Sequence, residues 1–418
     1  MAKKKIDNQL NLSNFPEEID TENSIKLYGE TSYENQMAVL SQYFHNGNLE
    51  IGREEIVATI LSFLEHKKEL NPDIEIEETV EFASMVAENP VQYGLFRDFF
   101  DVPFPNPQNG KHTLIDLFAG IGGIRLPFNE LGYKCVFSSE WDKYAQKSYF
   151  ANFGEMPFGD ITKESTKKFI PQKFDLLLAG FPCQAFSIMG KMQGFADTRG
   201  TLFFDVATIL ERHRPQAVLL ENVKQLTTHD HKRTFQTILS ILDELGYKTK
   251  WKVLNALDFG LPQKRERVII VGFLSQNRIN AFNFDFDKKP YTLNGILEPD
   301  ESVDSSLFAS DMILQKRKMQ TEGKQIFYPS IWHENKAGNV SVLDYSCALR
   351  TGASYNYLLV NGRRRPSSRE LLRLQGFPDD YRIVVSHGEI RRQTGNSVAV
   401  PMIRVIARKI DNILNNID

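Results

Sequence analysis

Apolar and polar positions along this chain change period more than once. From Thr113 onward, short apolar runs at Leu114 to Phe118, Lys134 to Ser138, Asp175 to Ala179, Ala217 to Leu220 and Val268 to Phe273 alternate with stretches of helical period. Short buried runs separated by helices predict β-α-β units and a mostly parallel sheet, so the expected fold class is α/β. The preceding residues are polar with helical period, clearest from Ile56 to Leu64, and end in a stretch containing Pro103, Pro105 and Pro107 before Asn109-Gly110. After Gly272-Phe273 the alternation stops, and a loop-rich, basic and aromatic region runs to about Asn361; helical period returns at Arg369 to Gln375 and Val398 to Ile410. The pattern predicts a helical extension over 1–108, an α/β body over 109–273, a smaller domain inserted over 274–360, and a closing segment over 361–418 that returns to the body.

Composition narrows the function classes. The chain has 418 residues, 41% hydrophobic and 25% charged, which is ordinary globular composition. No run reaches the roughly eighteen apolar residues of a membrane span, and Met-Ala-Lys-Lys-Lys leads into polar sequence instead of a signal core, so a cytoplasmic protein is expected. Cys135, Cys183 and Cys347 are too scattered for a disulfide scaffold or a zinc cluster, and no metal is expected. The net charge of −3 hides an asymmetry: residues 1–110 hold 8 basic against 20 acidic residues, a net of −12, which leaves +9 for the rest. A basic body suits a polyanionic substrate such as nucleic acid, and it equally suits a plain solvated surface.

Chemistry gathers at the ends of the apolar runs. The first run ends in Asp116-Leu117-Phe118-Ala119-Gly120-Ile121-Gly122-Gly123, a glycine-rich turn that lets backbone approach a ligand, or else a tight structural turn. Arg125 stands where a dinucleotide fingerprint needs glycine, so a nucleoside fits better than a pyrophosphate. Glu140, at the end of the second run, is placed for ribose hydroxyls, and Trp141 for an adenine ring or for the core. The third run leads into Gly180-Phe181-Pro182-Cys183-Gln184, presenting a thiol where open α/β sheets do their chemistry; Cys135 and Cys347 read as structural. The fourth delivers Glu221-Asn222-Val223, a carboxyl whose pKa partial burial would raise so that it can protonate or hydrogen-bond a heterocycle nitrogen. Arg265 and Arg267, spaced by two, stand at the start of the fifth as anion or base-carbonyl ligands, with surface ion pairs as the alternative.

In this order the pieces resemble the DNA cytosine-C5 methyltransferases of bacterial modification systems. The resemblance spans about residues 111–418 and includes Arg373-Leu374-Gln375-Gly376-Phe377-Pro378 and Gly395-Asn396-Ser397-Val398-Ala399-Val400-Pro401. It implies an S-adenosylmethionine-dependent, Rossmann-like large domain, with an inserted DNA-recognition domain over about 274–360 and no metal. The cofactor would lie against Phe118, Gly120 and Gly122, with Glu140 on ribose, Trp141 on adenine, Asp160 and Ile161 at the adenine edge, and Pro182, Leu202, Asn396 and Val398 completing the wall. Cys183 would add to C6 of a flipped cytosine while Glu221 serves N3; Arg265 and Arg267 would support the base, the thiolate or the carboxylate, in roles the resemblance does not divide. Residues 187–200 would form a lid, with Ser187, Lys191 and Arg199 facing DNA. Arg350, Thr351, Tyr355 and Asn356 are candidates for base reading, and Lys316, Arg317 and Lys318 for phosphate.

The implied partners are duplex DNA with a specific cytosine-containing site and a restriction endonuclease acting on that site. This chain departs from the family pattern at Ser367-Ser368, where Thr-Pro is common, although a serine can still cap the following helix. Competing readings are a transfer-RNA cytosine methyltransferase, whose Cys-Phe-Thr signature is missing here, and a catalytically silent DNA-binding regulator, which would have no need of both Cys183 and Glu221.

Overall fold

The computed structural model describes residues 33–46, 53–70, 80–90, 94–182 and 202–417. Two compact units divide the chain between Arg97 and Asp98. In the first, helices α1 (Tyr33–Asn46), α2 (Arg53–Leu70) and α3 (Val80–Glu88) carry buried apolar residues at helical spacing, among them Ile56, Ile60, Phe63 and Leu64. Gln36 donates to Ser62 Oγ at 2.8 Å between α1 and α2. The division falls ahead of the proline stretch because that stretch is already attached to the second unit: Asn106 exchanges two hydrogen bonds with the Cys135 backbone, and the Phe104 ring packs on Phe153 and Tyr381.

The second unit is built on a sheet of β1 (His112–Leu117), β2 (Tyr133–Ser139), β3 (Leu176–Ala179), β4 (Ala217–Val223), β5 (Lys248–Asn255) and β7 (Glu266–Phe273), with β6 (Gln263–Lys264) a short piece before β7. The spatial order is β2-β1-β3-β4-β7-β5. The first four strands pair in parallel, and β7 runs antiparallel between β4 and β5. The fifth predicted run is therefore reversed relative to its neighbour. A further strand, β5, escapes the apolar pattern because Lys248, Lys250 and Lys252 alternate along a sheet edge.

Helices α4 (Arg125–Glu130), α5 (Lys143–Phe153), α6 (Leu202–His213) and α7 (Arg233–Glu244) follow the strands. Beyond β7 come α8 (Asp311–Gln320), then β8 (Ile331–Glu334), β9 (Val340–Leu343), β10 (Ser346–Cys347) and β11 (Leu358–Val360); β11, β8 and β9 form a small antiparallel sheet. The chain ends in α9 (Ser368–Arg373), α10 (His387–Asn396) and α11 (Val400–Asn416). Met402, Ile403, Ile406, Ala407, Ile410 and Leu414 of α11 share a core with Leu114, Leu176, Leu219 and Ile269, so the last helix buries its apolar stripe on the central sheet.

Two buried arginines tie remote segments together. Arg125 makes a bidentate bond to Glu155 at 2.8 and 2.9 Å, both side chains fully buried, and donates to Tyr149 Oη at 2.9 Å. Arg364 pairs with Glu370 at 2.8 Å and Asp300 at 2.7 Å, joining the chain before α9 to the loop at 298–300. Ser367 caps α9 as the sequence predicts, in a reciprocal capping box with Glu370.

Candidate active site

A cavity of about 630 Å³ opens at the carboxyl ends of β1, β2, β3 and β4. That volume is within the usual range for a bound small molecule. Its floor is the turn after β1, where Phe118 and Gly120 have φ values of +54° and +55°. An added Cβ on Gly120 would reach nothing nearer than 4.0 Å, so the backbone there faces open space. A non-glycine residue held at positive φ stores strain of the kind found at ligand sites.

Glu140, which follows β2, is 8% exposed, and its two carboxylate oxygens accept from the backbone N–H groups of Gly120 at 2.8 Å and Asp142 at 2.9 Å. Burial raises its pKa, opposed by those hydrogen bonds. Each oxygen keeps a lone pair for a ligand hydroxyl. Trp141 is 80% exposed beside the cavity and so is a surface platform and not a core residue. Asp160, Ile161, Pro182, Leu202 and Asn396 also line the wall.

Gly122 and Val398 do not line it. Gly122, at φ +80°, lies against Phe153, whose ring would be 2.2 Å from an added Cβ; Val398 is buried and packs on Gly123. Both hold the turn to its surroundings, a packing role that the motif alone does not separate from ligand contact.

The far end of the same cavity holds Glu221, Asn222 and Arg267. Glu221 is 7% exposed, and Arg267 Nε stands 2.9 Å from its Oε1. Burial raises the Glu221 pKa, with the charges of Arg267 and Arg265 pulling it back. The reversed direction of β7 brings this about: its start lies at the carboxyl end of β4, with Arg267 opposite Val223 and Ile269 opposite Glu221. In a parallel strand the same arginine would sit at the opposite edge of the sheet.

Arg265 does not share this position. It is 1% exposed, and its guanidinium donates to the carbonyls of Leu349 at 3.3 Å, Gly395 at 3.1 Å and Ser397. It is spent on backbone and reaches Glu221 only through its charge.

Cys183, Ser187, Lys191 and Arg199 lie outside the described residues. The approach to Cys183 is described: a Cβ on Gly180 would be 3.7 Å from Glu221 Oε2, and Asn222 donates to the Phe181 carbonyl at 2.8 Å. Asn222 therefore anchors the segment entering Pro182 to the strand end that carries Glu221. The other two thiols are poor nucleophiles, since burial pushes Cys135 to about 12 and Cys347 to about 11.

Asn222, Asp142 and Arg392 are among the cavity residues to which the sequence assigns no role. Asp142 caps α5 through Ala145 N–H at 2.9 Å, and Arg392 of α10 holds its carboxylate at 2.6 and 2.8 Å, a bridge across 250 residues of chain. Burial pushes the Asp142 pKa up, and the stronger combined effect of Arg392 and the backbone donors brings it below the usual carboxylate value. Of these features only the cap has a local sequence signal, an aspartate opening a helical stretch.

The base-reading candidates diverge. Tyr355 is 50% exposed and Thr351 is exposed. Asn356 is engaged internally, its side-chain oxygen accepting from Arg365 at 3.3 Å and its carbonyl from Arg317 at 2.8 Å. Lys316 and Arg317, expected at phosphate, both pair with Glu334, at 3.1 and 2.6 Å; Lys318 alone of that trio is exposed without such a pair among the described residues.

A nucleoside-sized cavity at a sheet switch point, joined to a buried carboxyl beside an arginine, is the ligand-site arrangement of an α/β enzyme. Residues 112–412 match the family described as C-5 cytosine-specific DNA methylase, and the chain belongs to that family. Over 308 residues it is 57% identical to the Type II methyltransferase M.HaeII of Haemophilus aegyptius, covering 73% of this chain and 94% of that protein. It is 44% identical over 354 residues to the Type II methyltransferase M.HpaII of Haemophilus parainfluenzae, covering 80% of this chain and 98% of that one. Among solved structures, a DNMT2 mutant of Spodoptera frugiperda superposes with a TM-score of 0.55 at 19% identity, covering 72% of this chain and all of that one, which shows a shared fold. The fold is thus the Rossmann-like α/β fold of the S-adenosylmethionine-dependent methyltransferases, with a mostly parallel sheet.

Proposed function

We propose that this protein transfers a methyl group from S-adenosylmethionine to C5 of a cytosine flipped out of a specific duplex DNA sequence, as the modification enzyme of a restriction-modification system. The observation that carries the reading is the continuity of one cavity from Trp141 and Glu140 to Glu221 and Arg267. Membership of the cytosine-C5 family and similarity to Type II methyltransferases support the reaction and the DNA substrate. A restriction endonuclease cutting the same unmodified site is the partner this reading implies.

The residues present suit S-adenosylmethionine. Trp141 offers a face for adenine, Asp160 and Ile161 its edge, Glu140 hydrogen-bond acceptors for ribose, and the open backbone at Gly120 room for the remainder. When bound, S-adenosylmethionine supplies an electrophilic methyl group.

Cytosine C5 is a weak nucleophile, so the chain's own groups must activate it. Cys183 as thiolate adds to C6 while Glu221, whose pKa burial raises, hydrogen-bonds or protonates N3; the resulting enamine carries electron density at C5. After methylation, loss of the C5 proton expels the thiolate and restores the ring. Arg267 keeps Glu221 oriented and limits the rise of its pKa. Arg265 acts at one remove, by fixing the carbonyls of Leu349, Gly395 and Ser397 around the site. C6 is inaccessible inside a duplex, so the nucleotide must leave the stack, at a cost of roughly a few kcal/mol, with residues 187–200 proposed as the closing lid.

The test is transfer of radiolabelled methyl from S-adenosylmethionine to duplex genomic DNA, matched RNA and DNA containing 5-fluorocytosine, with Cys183→Ala alongside. Label in DNA and a denaturant-stable 5-fluorocytosine adduct that disappears in Cys183→Ala are the expected results. Label confined to RNA would refute the DNA assignment.

A further inference from the structure

Among the described arginines beyond β7, two sets contrast. Arg317, Arg364, Arg373, Arg382 and Arg392 each face a carboxylate, at 2.6, 2.7, 2.7, 3.2 and 2.6 Å. Arg350, Arg365 and Arg391 have no carboxylate within ion-pair distance among the described residues, yet they gather on two tyrosines. Arg365 and Arg391 lie 4.4 and 4.7 Å from the Tyr355 ring centroid, and Arg350 lies 5.1 Å from that of Tyr357.

Few of their donors are used. Arg391 donates to the Ser354 carbonyl at 3.3 Å, and Arg365 to Asn356 and to the Ser306 carbonyl. The Nε atoms of Arg350 and Arg365 are buried without a partner, as is Nε2 of His387 beside them. Three guanidiniums held together repel one another unless an anion sits among them. The crevice bounded by Arg350, Tyr355, Arg365, His387 and Arg391 measures about 10 Å³. That space takes a single water-sized group; a phosphate oxygen fits and a nucleobase does not.

The crevice also adjoins the active site. The Arg350–Thr351 peptide packs on Gly395, where an added Cβ would be 2.8 Å from Thr351 N, and Gly395 lines the cavity that holds Glu221. Arg391 shares helix α10 with the cavity residues Arg392 and Asn396.

We propose that Arg350, Arg365 and Arg391, braced on Tyr355 and Tyr357, form a clamp for a DNA backbone phosphate next to the flipped nucleotide. The clamp grips the strand irrespective of sequence, which moves Arg350 and Tyr355 from base reading to backbone holding. The inference rests on the DNA reading above.

Phosphate contacts are revealed by salt. Binding of the full chain, with S-adenosylhomocysteine present, to a fluorescent random-sequence duplex is measured from low to moderate salt. Each phosphate contact removed should lower the slope of log affinity against log salt by about 0.9. Arg365→Gln and Arg391→Gln should each lower the slope in part and the double variant by about 0.9, whereas Arg391→Lys and Arg382→Gln, whose guanidinium already faces Asp101, should keep the wild-type slope. An unchanged slope in the double variant, or a loss confined to one base sequence, overturns the clamp. Wild-type protein gives a check that needs no variant: ethylating the phosphates flanking the target cytosine should block binding, and indifference to every one of them also refutes the clamp. Wild type that binds DNA with no salt dependence and labels only RNA would instead overturn the underlying DNA reading.

Discussion

Glu221 and Asp116 are both buried carboxyls at strand ends, and their surroundings set them to different work. Glu221 lines the cavity with Arg267 at 2.9 Å, and burial raises its pKa against the charges of Arg267 and Arg265. Glu221→Gln keeps a hydrogen-bond donor but cannot transfer a proton, and methyl transfer should fall by roughly 10²–10⁴ while cofactor binding persists; unchanged turnover in a labelled-methyl assay would remove Glu221 from the chemistry. Asp116, 1% exposed at the end of β1, faces inward to Tyr149, and burial raises its pKa to about 7 against the opposing charge of Arg125. A carboxyl whose pKa is raised on folding stabilises the native state fully below its unfolded value, here 3.8, and that contribution is lost as pH rises through about 7. The loss is at most roughly 4 kcal/mol. Asp116→Asn cannot ionise, so its thermal midpoint should fall less than that of wild type between about pH 5 and 8; parallel curves for the two proteins would show that Asp116 does not titrate on folding.

The turn after β1 shows how an element divides its residues between ligand and scaffold. Phe118 and Gly120 present backbone to the cavity, while Gly122, in the same motif, is there because Phe153 of α5 leaves no room for a Cβ. Gly122→Ala must accept both positive φ and that collision, for a destabilisation of roughly 1–3 kcal/mol. The expected readout is a lower thermal midpoint with cofactor affinity retained below it; a normal midpoint with cofactor binding abolished would instead put Gly122 on the ligand. Arg125 belongs to the same scaffold. It stands at a fingerprint glycine position, and its pairing with Glu155 under the Tyr149 and Phe153 rings makes it the support of the turn and not a phosphate ligand.

For the molecule as a whole, the match to M.HaeII covers 94% of that protein but only 73% of this chain, and the family match begins at residue 112. The family match and the described cavity residues thus fall in the unit that begins at Asp98. A chain starting there should bind cofactor and methylate DNA; loss of methyl transfer in a truncation that stays folded by circular dichroism would show that residues 1–97 take part in the reaction. Within the catalytic unit, the reversal of β7 puts Arg267 on Glu221, and the return of α11 to the sheet brings α10, with Arg392 and Asn396, back to the cavity.

Local pattern was enough for much of this. Apolar runs located β1 to β4 and β7, and the residues at or just beyond their ends, Phe118, Glu140, Pro182 and Glu221, line one cavity, because strand periodicity and end position are properties of neighbouring residues. The lysine-alternating edge strand β5 and the direction of β7 were not legible, since pairing partner and orientation depend on contacts far apart in sequence. The same reason separates Arg265 from Arg267, two residues apart and alike in type: one is consumed by the carbonyls of Leu349, Gly395 and Ser397, the other is left to meet a carboxylate. Which arginines keep their charge for a ligand is likewise settled by where distant aspartates and glutamates fall, and that is known only once the chain has folded.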